Sequence, residues 1–199
     1  MSWTAFIMPA CSAAKYWLRL AAFLLLCFSS LAHATIFSVN NPRVNQVGNG
    51  YVLSAQIDYP LTPRVIEALH NGVPITFFQE LKLVESFPIL GRFWQWETTL
   101  WQSRLHYELR YHALSEQYVL KALETDDQRN FPHLEGALKA LGNIQDLSLP
   151  PEFTQQADDL LLLIRSGLDL GALPTPMRPG AMISSKWQLT SPWVRAVWP

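Results

Sequence analysis

The chain has 199 residues, with 15 Lys and Arg against 16 Asp and Glu and a formal net charge of −1. So even a balance, with no run of like charge, argues against a nucleic-acid surface, which needs clustered cations. The length suits one domain with a core of its own.

The N-terminal stretch reads differently from the rest. Lys15 and Arg19 precede an apolar run from Leu20 to Phe28, and no acidic residue stands before Asp58. Ser29-Ser-Leu-Ala-His-Ala34 then offers small residues at Ala32 and Ala34. These features predict a signal peptide over 1–34, cleaved after Ala34, and a single β-rich domain over 35–199 in the periplasm. The alternative keeps the segment as an anchor. Its apolar run of about ten residues falls short of the ~20 that span a bilayer. Both cysteines, Cys11 and Cys27, lie in this segment. The exported domain therefore has no disulfide, no thiol nucleophile and no thiolate metal site.

From Thr35 to Val47 two short alternating pieces flank Asn41-Pro42, and Gly48-Asn49-Gly50 supplies a turn. Tyr51, Leu53, Ala55, Ile57 and Tyr59 then alternate with polar positions, which completes a hairpin. Thr62 and Pro63 fit the cap and first position of a short helix that buries Val65, Ile66 and Leu69 and ends at Asn71-Gly72. A strand follows from Val73, with Ile75, Phe77, Leu81 and Leu83 on one face and Thr76, Glu80 and Lys82 on the other. Phe87 to Trp96 reads as an aromatic loop.

The clearest element spans residues 97–113. Trp101, Leu105, Tyr107, Leu109 and Tyr111 alternate with Gln102, Arg104, His106, Glu108, Arg110 and His112, the period of a half-buried strand. At ~3.3 Å per residue it would run roughly 55 Å, so a bulge or bend is expected, placed near Gln102-Ser103. Leu114–Gln117 is a turn, and Tyr118, Leu120 and Ala122 lie in a partner strand. Glu124 to Asn130 reads as polar loop, with Asn130 capping a helix from Phe131 or Pro132 to Gly142 through Leu134, Leu138 and Leu141. Gln145 to Pro151 is extended. The run Leu160–Ile164 suits strand or helix by period alone, and Gly167 tips it to strand. Residues 171–180 read as loop, and the tail from Trp187 is extended with a break at Pro192. The sum is a mainly β fold, an antiparallel β-sandwich with two short helices in its connections, α+β being the variant.

No nucleophile elbow, P-loop, dinucleotide fingerprint or H-E-x-x-H motif is present, so no cofactor is expected. The best polar constellation is the strand face Arg104, His106, Glu108, Arg110 and His112. His106 and His112 stand ~20 Å apart on a straight strand and do not share a metal. His106 with Glu108 supplies two ligands, and a third would come from His70 or His133. Against this stands the ordinary solvated face of an antiparallel sheet. Arg92, Arg104 and Arg110 with Trp94, Trp96 and Trp101 offer a cationic, aromatic patch, unless the tryptophans fill the core. Asp126-Asp127 and Asp158-Asp159 lack the ligand spacing of a Ca²⁺ loop. Trp187, Trp193 and Trp198 have only Lys186 and Arg195 beside them, thin support for membrane association. Latching of the tail onto the fold or a partner is the stronger expectation.

Gly72-Val-Pro-Ile75 with Phe77, Leu109-x-Tyr111-x-Ala113-Leu114 with Gln117-Tyr118, and Phe131-x-x-Leu134-x-x-Ala137-Leu138 also form a pattern. Leu168-Asp169-Leu170 before Leu173-Pro174-x-Pro176, and Trp187-x-Leu189-x-Ser191-x-Trp193, continue it. In this order the motifs resemble a family of uncharacterised exported proteobacterial proteins of unknown function. The resemblance implies an exported domain in Gram-negative bacteria and supplies no activity. The sequence favours a non-catalytic binding or interaction module of the cell envelope, its partner an unknown protein or ligand. Its candidate surface is Arg104, His106, Glu108, Arg110, His112, Trp94 and Trp96. The alternative is a metal-dependent or hydrolytic enzyme working from the His106/Glu108 face.

Overall fold

Period-two alternation makes strands, and antiparallel strands dominate the computed structural model, which describes residues 36–88, 95–154 and 160–198. The signal-like segment 1–34, Arg92, Trp94 and Asp158-Asp159 lie outside the described residues, as does the Trp96 side chain. β1 (Ser38–Val47) and β2 (Gly50–Asp58) form the first hairpin, with Gly48 at φ +60° in its turn. The two pieces expected around Asn41-Pro42 are one strand. A bulge between Asn40 and Arg43 absorbs the proline, which has no N–H to give the ladder. β7 (Asn143–Ser148) completes a three-stranded sheet in the order β1-β2-β7.

The larger sheet has the order β6 (Gln128–Phe131), β5 (Gln117–Ala122), β4 (Gln95–His112), β3 (Ile75–Pro88), β8 (Leu160–Leu168), β9 (Val194–Arg195). The β3–β4 hairpin runs from Ile75↔Leu109 to Pro88↔Gln95, so the backbone at Phe87 and Trp96 is strand rather than the expected loop. Its bulge sits at Leu100, between the pairs Leu83↔Trp101 and Val84↔Thr99, rather than at Gln102-Ser103. The extra residue lets two neighbours, Leu100 and Trp101, both pack against the core. β8 is a strand, as Gly167 suggested. Leu160, Leu162, Ile164, Ser166 and Leu168 all turn inward and are buried.

The inner faces meet in one core. Leu53 and Ile57 of the small sheet share it with Phe77, Leu81, Leu83, Leu109, Leu162 and Ile164 of the large one. Phe37 bridges the two layers, edge-on to Tyr59 at 4.9 Å and stacked on Phe77 at 6.1 Å. α1 (Pro63–His70) begins as expected, with Thr62 Oγ1 accepting from the Val65 N–H at 3.4 Å, and buries Val65, Ala68 and Leu69. Gly72, at φ +81°, turns the chain into β3.

Two seams remain between the sheets, and each has its own closure. On one side the chain leaves edge strand β6, forms α2 (Leu134–Gly142) and enters edge strand β7. The expected cap Asn130 is instead a β6 residue paired with Val119, which delays the helix to Leu134. α2 docks so closely on β2 that a Cβ on Gly142 would run into the Ile57 carbonyl. The Leu141 carbonyl, in the last turn and without an intrahelical donor, accepts from Gln79 Nε2 at 2.9 Å. α3 (Pro151–Thr154) is one helical turn, and α4 (Arg178–Ile183) lies in and beyond the stretch expected as loop.

The C-terminal tail closes the other seam. The Ala196 N–H donates to Leu162 O at 2.8 Å, which continues β9 along β8. One residue on, Val197 exchanges 2.8 Å bonds with β1: its N–H donates to Pro42 O and its carbonyl accepts from the Val44 N–H. Trp187 and Leu189 are buried, and Trp198 stacks on Tyr51 at 5.3 Å. The tail latches onto the fold. Among the described residues no helix is long and apolar enough to cross a membrane.

One polar cluster is sealed between the layers. The Tyr59 hydroxyl lies 2.9 Å from Ser166 Oγ and accepts from Gln79 Nε2 at 3.1 Å, while the Ser166 hydroxyl donates to Phe78 O at 2.7 Å. Burial pushes the Tyr59 phenol up to about 12 from 10.0, since its anion would sit in a low-dielectric core. The raised value favours the neutral phenol, so its contribution is intact below pH 10 and fades between about pH 10 and pH 12. Two units correspond to about 2–3 kcal/mol. Denaturant unfolding at mild and strongly alkaline pH is expected to show that loss, with a smaller alkaline loss in Tyr59→Phe.

Candidate functional site

β3 lies at the centre of the large sheet and is covered on both faces. Its inward residues fill the core, yet outward Thr76, Phe78, Glu80 and Val84 are also buried. Glu80 is only 4 % exposed, and a carboxylate so placed needs donors. The flanking strands supply them. Arg165 on β8 and Arg104 on β4 stand opposite Glu80 in register, and Gln102 sits one outward position further along β4. Arg165 Nε donates to Glu80 Oε2 at 2.7 Å, with Nη2 in ion-pair contact at 2.7 Å, and Gln102 Nε2 donates to Oε1 at 2.6 Å.

Aromatic rings support the cations around this pair. The Arg104 guanidinium lies 4.0 Å above the Phe78 ring centroid, with Arg165 at 5.8 Å from the same ring. Trp193, brought back by the tail, sits 4.5 Å from the Arg165 guanidinium and 4.8 Å from Lys82 Nζ. Such contacts restrain a cation without neutralising it. Gly167, beside Phe78 in the ladder, leaves the room for this layer: a Cβ there would lie 2.7 Å from Phe78 Cζ and 2.6 Å from Thr190 Oγ1.

The opposite end of the same face is acidic. His106 Nδ1 lies 3.0 Å from Glu124 Oε1, which also accepts the His106 backbone N–H at 2.7 Å. Its Nε2 is 3.9 Å from Asp169 Oδ2. Glu108 receives Arg110 Nε at 2.6 Å and Nη2 at 3.0 Å, and those hydrogen bonds raise the Arg110 pKa further. Lys121 pairs with Asp126 at 2.6 Å.

Residues 34–196 match the family described as Domain of unknown function (DUF4390). The chain belongs to that family. No curated protein and no solved structure matches it.

In this DUF4390 protein the five strand residues singled out by alternation do share one outward face, but they do not act as one group. Arg104 joins the Glu80 cluster; His106 joins Glu124 and Asp169; Glu108 and Arg110 satisfy each other; His112 is exposed at the far end. His106 and Glu108 thus have separate partners. His70 is taken up by the Tyr118 hydroxyl at 2.7 Å, against the Tyr111 ring, and His133 stands exposed at the N-cap position of α2 with no side-chain capping bond. Of the cationic, aromatic patch expected at Arg92, Arg104 and Arg110, Arg92 lies outside the described residues and Arg110 is paired with Glu108. Trp101 packs against the core, and Phe78 and Trp193 support the cations instead.

Glu80, Arg165, Lys82, Phe78 and Trp193 were missed as a site, though two signals were present. Phe78 and Val84 interrupt an otherwise polar face of β3, and Arg165 is a lone charge in an aliphatic strand. Breaking a buried ion pair costs more than replacing both partners. Arg165→Leu is expected to destabilise the protein by about 3 kcal/mol because it strands Glu80. The double variant Glu80→Leu/Arg165→Leu is expected to cost clearly less, both read from denaturant midpoints.

Proposed function

We propose that this chain is an exported cell-envelope protein of Gram-negative bacteria that works as a non-catalytic binding module through the outward face of its large sheet. Export is supported by the signal-like composition of 1–34 and by the family match beginning at residue 34. The observation that carries the binding reading is a set of cations left over after the internal pairing. Glu80 is taken by Arg165, while Arg104, Lys82 and Arg195 have no carboxylate partner within ion-pair distance among the described residues. They lie on adjacent strands, with Lys82 opposite Gln102 and Leu163, and Leu163 opposite Arg195. Arg104 and Lys82, fixed on rings and left unpaired, are primed for an outside anion, and exposed Arg195 extends the set. A separate catalytic use of His106 and Glu108 gains nothing from this geometry, because each is turned to a different neighbour.

Two measurements test the reading. Fractionation of cells expressing the full-length chain is expected to place it in the periplasm with Thr35 at its N-terminus; a cytoplasmic protein of full mass would overturn the export half. A photo-crosslinking residue placed at Gln102 is expected to give discrete adducts in living cells, whereas the same group at Asn45, on the small sheet, gives none. Silence at Gln102, or equal adducts at both positions, sinks the binding half.

A further inference from the structure

The charge on the large sheet's outward face is segregated, and the segregation points to a kind of partner. Among the described residues, one end holds Lys82, Arg104, Arg165 and Arg195 around Glu80, which is internal and already paired, with exposed Glu97 further along β4. The other end holds Glu108, Glu124 and Asp169 around His106 and Arg110. From β4 to β9 the basic end crosses four adjacent strands, roughly 14 Å at ~4.8 Å per strand. Alternate side chains of an extended chain recur every ~6.6 Å, so a short acidic stretch laid across the strands can place carboxylates on Arg104, Lys82 and Arg195 in turn. We infer that the basic end of this face binds an extended acidic peptide segment of a partner protein; the inference rests on the binding-module reading and gives its ligand a chemical class.

Other anions fit less well. A membrane surface is a plane, and a plane laid on this face would also meet Glu108, Glu124 and Asp169. Lipid recognition by charge generally uses about four to eight clustered cations without such neighbours. Nucleic acid binds single strands largely by stacking bases on open rings. Here Phe78 is buried beneath Arg104, and the half-buried Trp193 ring is already engaged by Arg165 and Lys82. A lone phosphate would engage one or two cations and leave the third unused. An acidic chain engages all three and bypasses the acidic end.

The test uses the protein recovered from the periplasm of cells expressing the full-length chain, and a fluorescent peptide of about twelve alternating Glu and Ser residues, long enough to cross the four strands. Anisotropy is expected to show saturable binding that weakens at least about tenfold as salt rises from about 20 to about 200 mM. Arg104→Gln, Lys82→Gln and Arg195→Gln are each expected to weaken it about five-fold. Arg64→Gln, which removes a cation paired with Glu67 on α1, is expected to leave it unchanged. Matched thermal transitions across the variants show that a loss of binding is not a loss of fold. The inference is overturned if the peptide does not bind, if a Lys-Ser peptide binds equally, or if the three variants bind like the parent. It is also overturned if vesicles rich in anionic lipid, oligothymidylate or inorganic phosphate bind as well as the peptide. Crosslinks at Gln102 alongside a peptide that does not bind would remove the acidic ligand and keep the module; silence at Gln102 would remove the module itself.

Discussion

A carboxylate buried on the outward face of a sheet has to find its donors on the neighbouring strands, because no core backbone faces that way. Glu80 finds Arg165 on one side and Gln102 on the other, hydrogen bonds of 2.7 and 2.6 Å across three strands. The arrangement holds only in one register. A slip of β4 or β8 by a single residue would turn Gln102 or Arg165 into the core and bring an apolar side chain outward. The pair is thus a register lock as much as an ion pair. It also bears on why β3 is buried twice over: the Arg165 guanidinium drawn to Glu80 lies 5.8 Å from the Phe78 ring, and Phe78 seats Arg104.

The same constraint reaches the C-terminus. Arg165 is held from above by Trp193, and Trp193 is where it is because the tail runs antiparallel along β8 through Val194 and Ala196. One residue further, Val197 leaves the large sheet for the small one and bonds β1 on both sides. Edge strands are liabilities when their ladders are open, and here a single segment occupies the edges of both sheets. α2 does the equivalent on the far side, with Gln79 reaching through the core to the Leu141 carbonyl. The tail tryptophans are therefore divided between core, seam and surface layer rather than gathered as an anchor. Trp187 is buried, Trp198 stacks on Tyr51, and Trp193 covers cations.

Local signals carried much of this into the sequence. The alternation of β4, the proline-capped α1, the Gly48 turn and the strand character of Leu160–Leu168 were all legible, because each depends on period or on a backbone preference within the element. Boundaries that depend on a partner were not. Gln128–Phe131 is polar and reads as loop, and becomes a strand only because β5 offers it a ladder. The bulge at Leu100 depends on what the core has room for, so length alone predicted its existence and missed its place by two residues. The candidate site failed for the same reason. Alternation put Arg104, His106, Glu108, Arg110 and His112 on one face, but which of them meet depends on β3, β8 and the tail. Those elements lie far from β4 in sequence.

Sorting the cations by what already neutralises them separates scaffold from surface. Arg110 is spent on Glu108, Lys121 on Asp126, Arg64 on Glu67 and Arg165 on Glu80. An anion from outside would have to displace those carboxylates, and the exchange of one pair for another returns little. Arg104 and Lys82 face no such competition, and their rings limit the side-chain freedom that binding would otherwise remove. The sequence stripe that first suggested a site is mostly self-satisfied. Its one unspent member beside the Glu80 cluster, Arg104, gains meaning from two residues the stripe does not contain, Lys82 and Arg195. Specificity on such a face comes from geometry more than from strength. On the proposed reading, three cations spread over four strands would discriminate between an acid-bearing chain and a point charge, and the carboxylates at the other end would repel anything anionic that is broad enough to cover both.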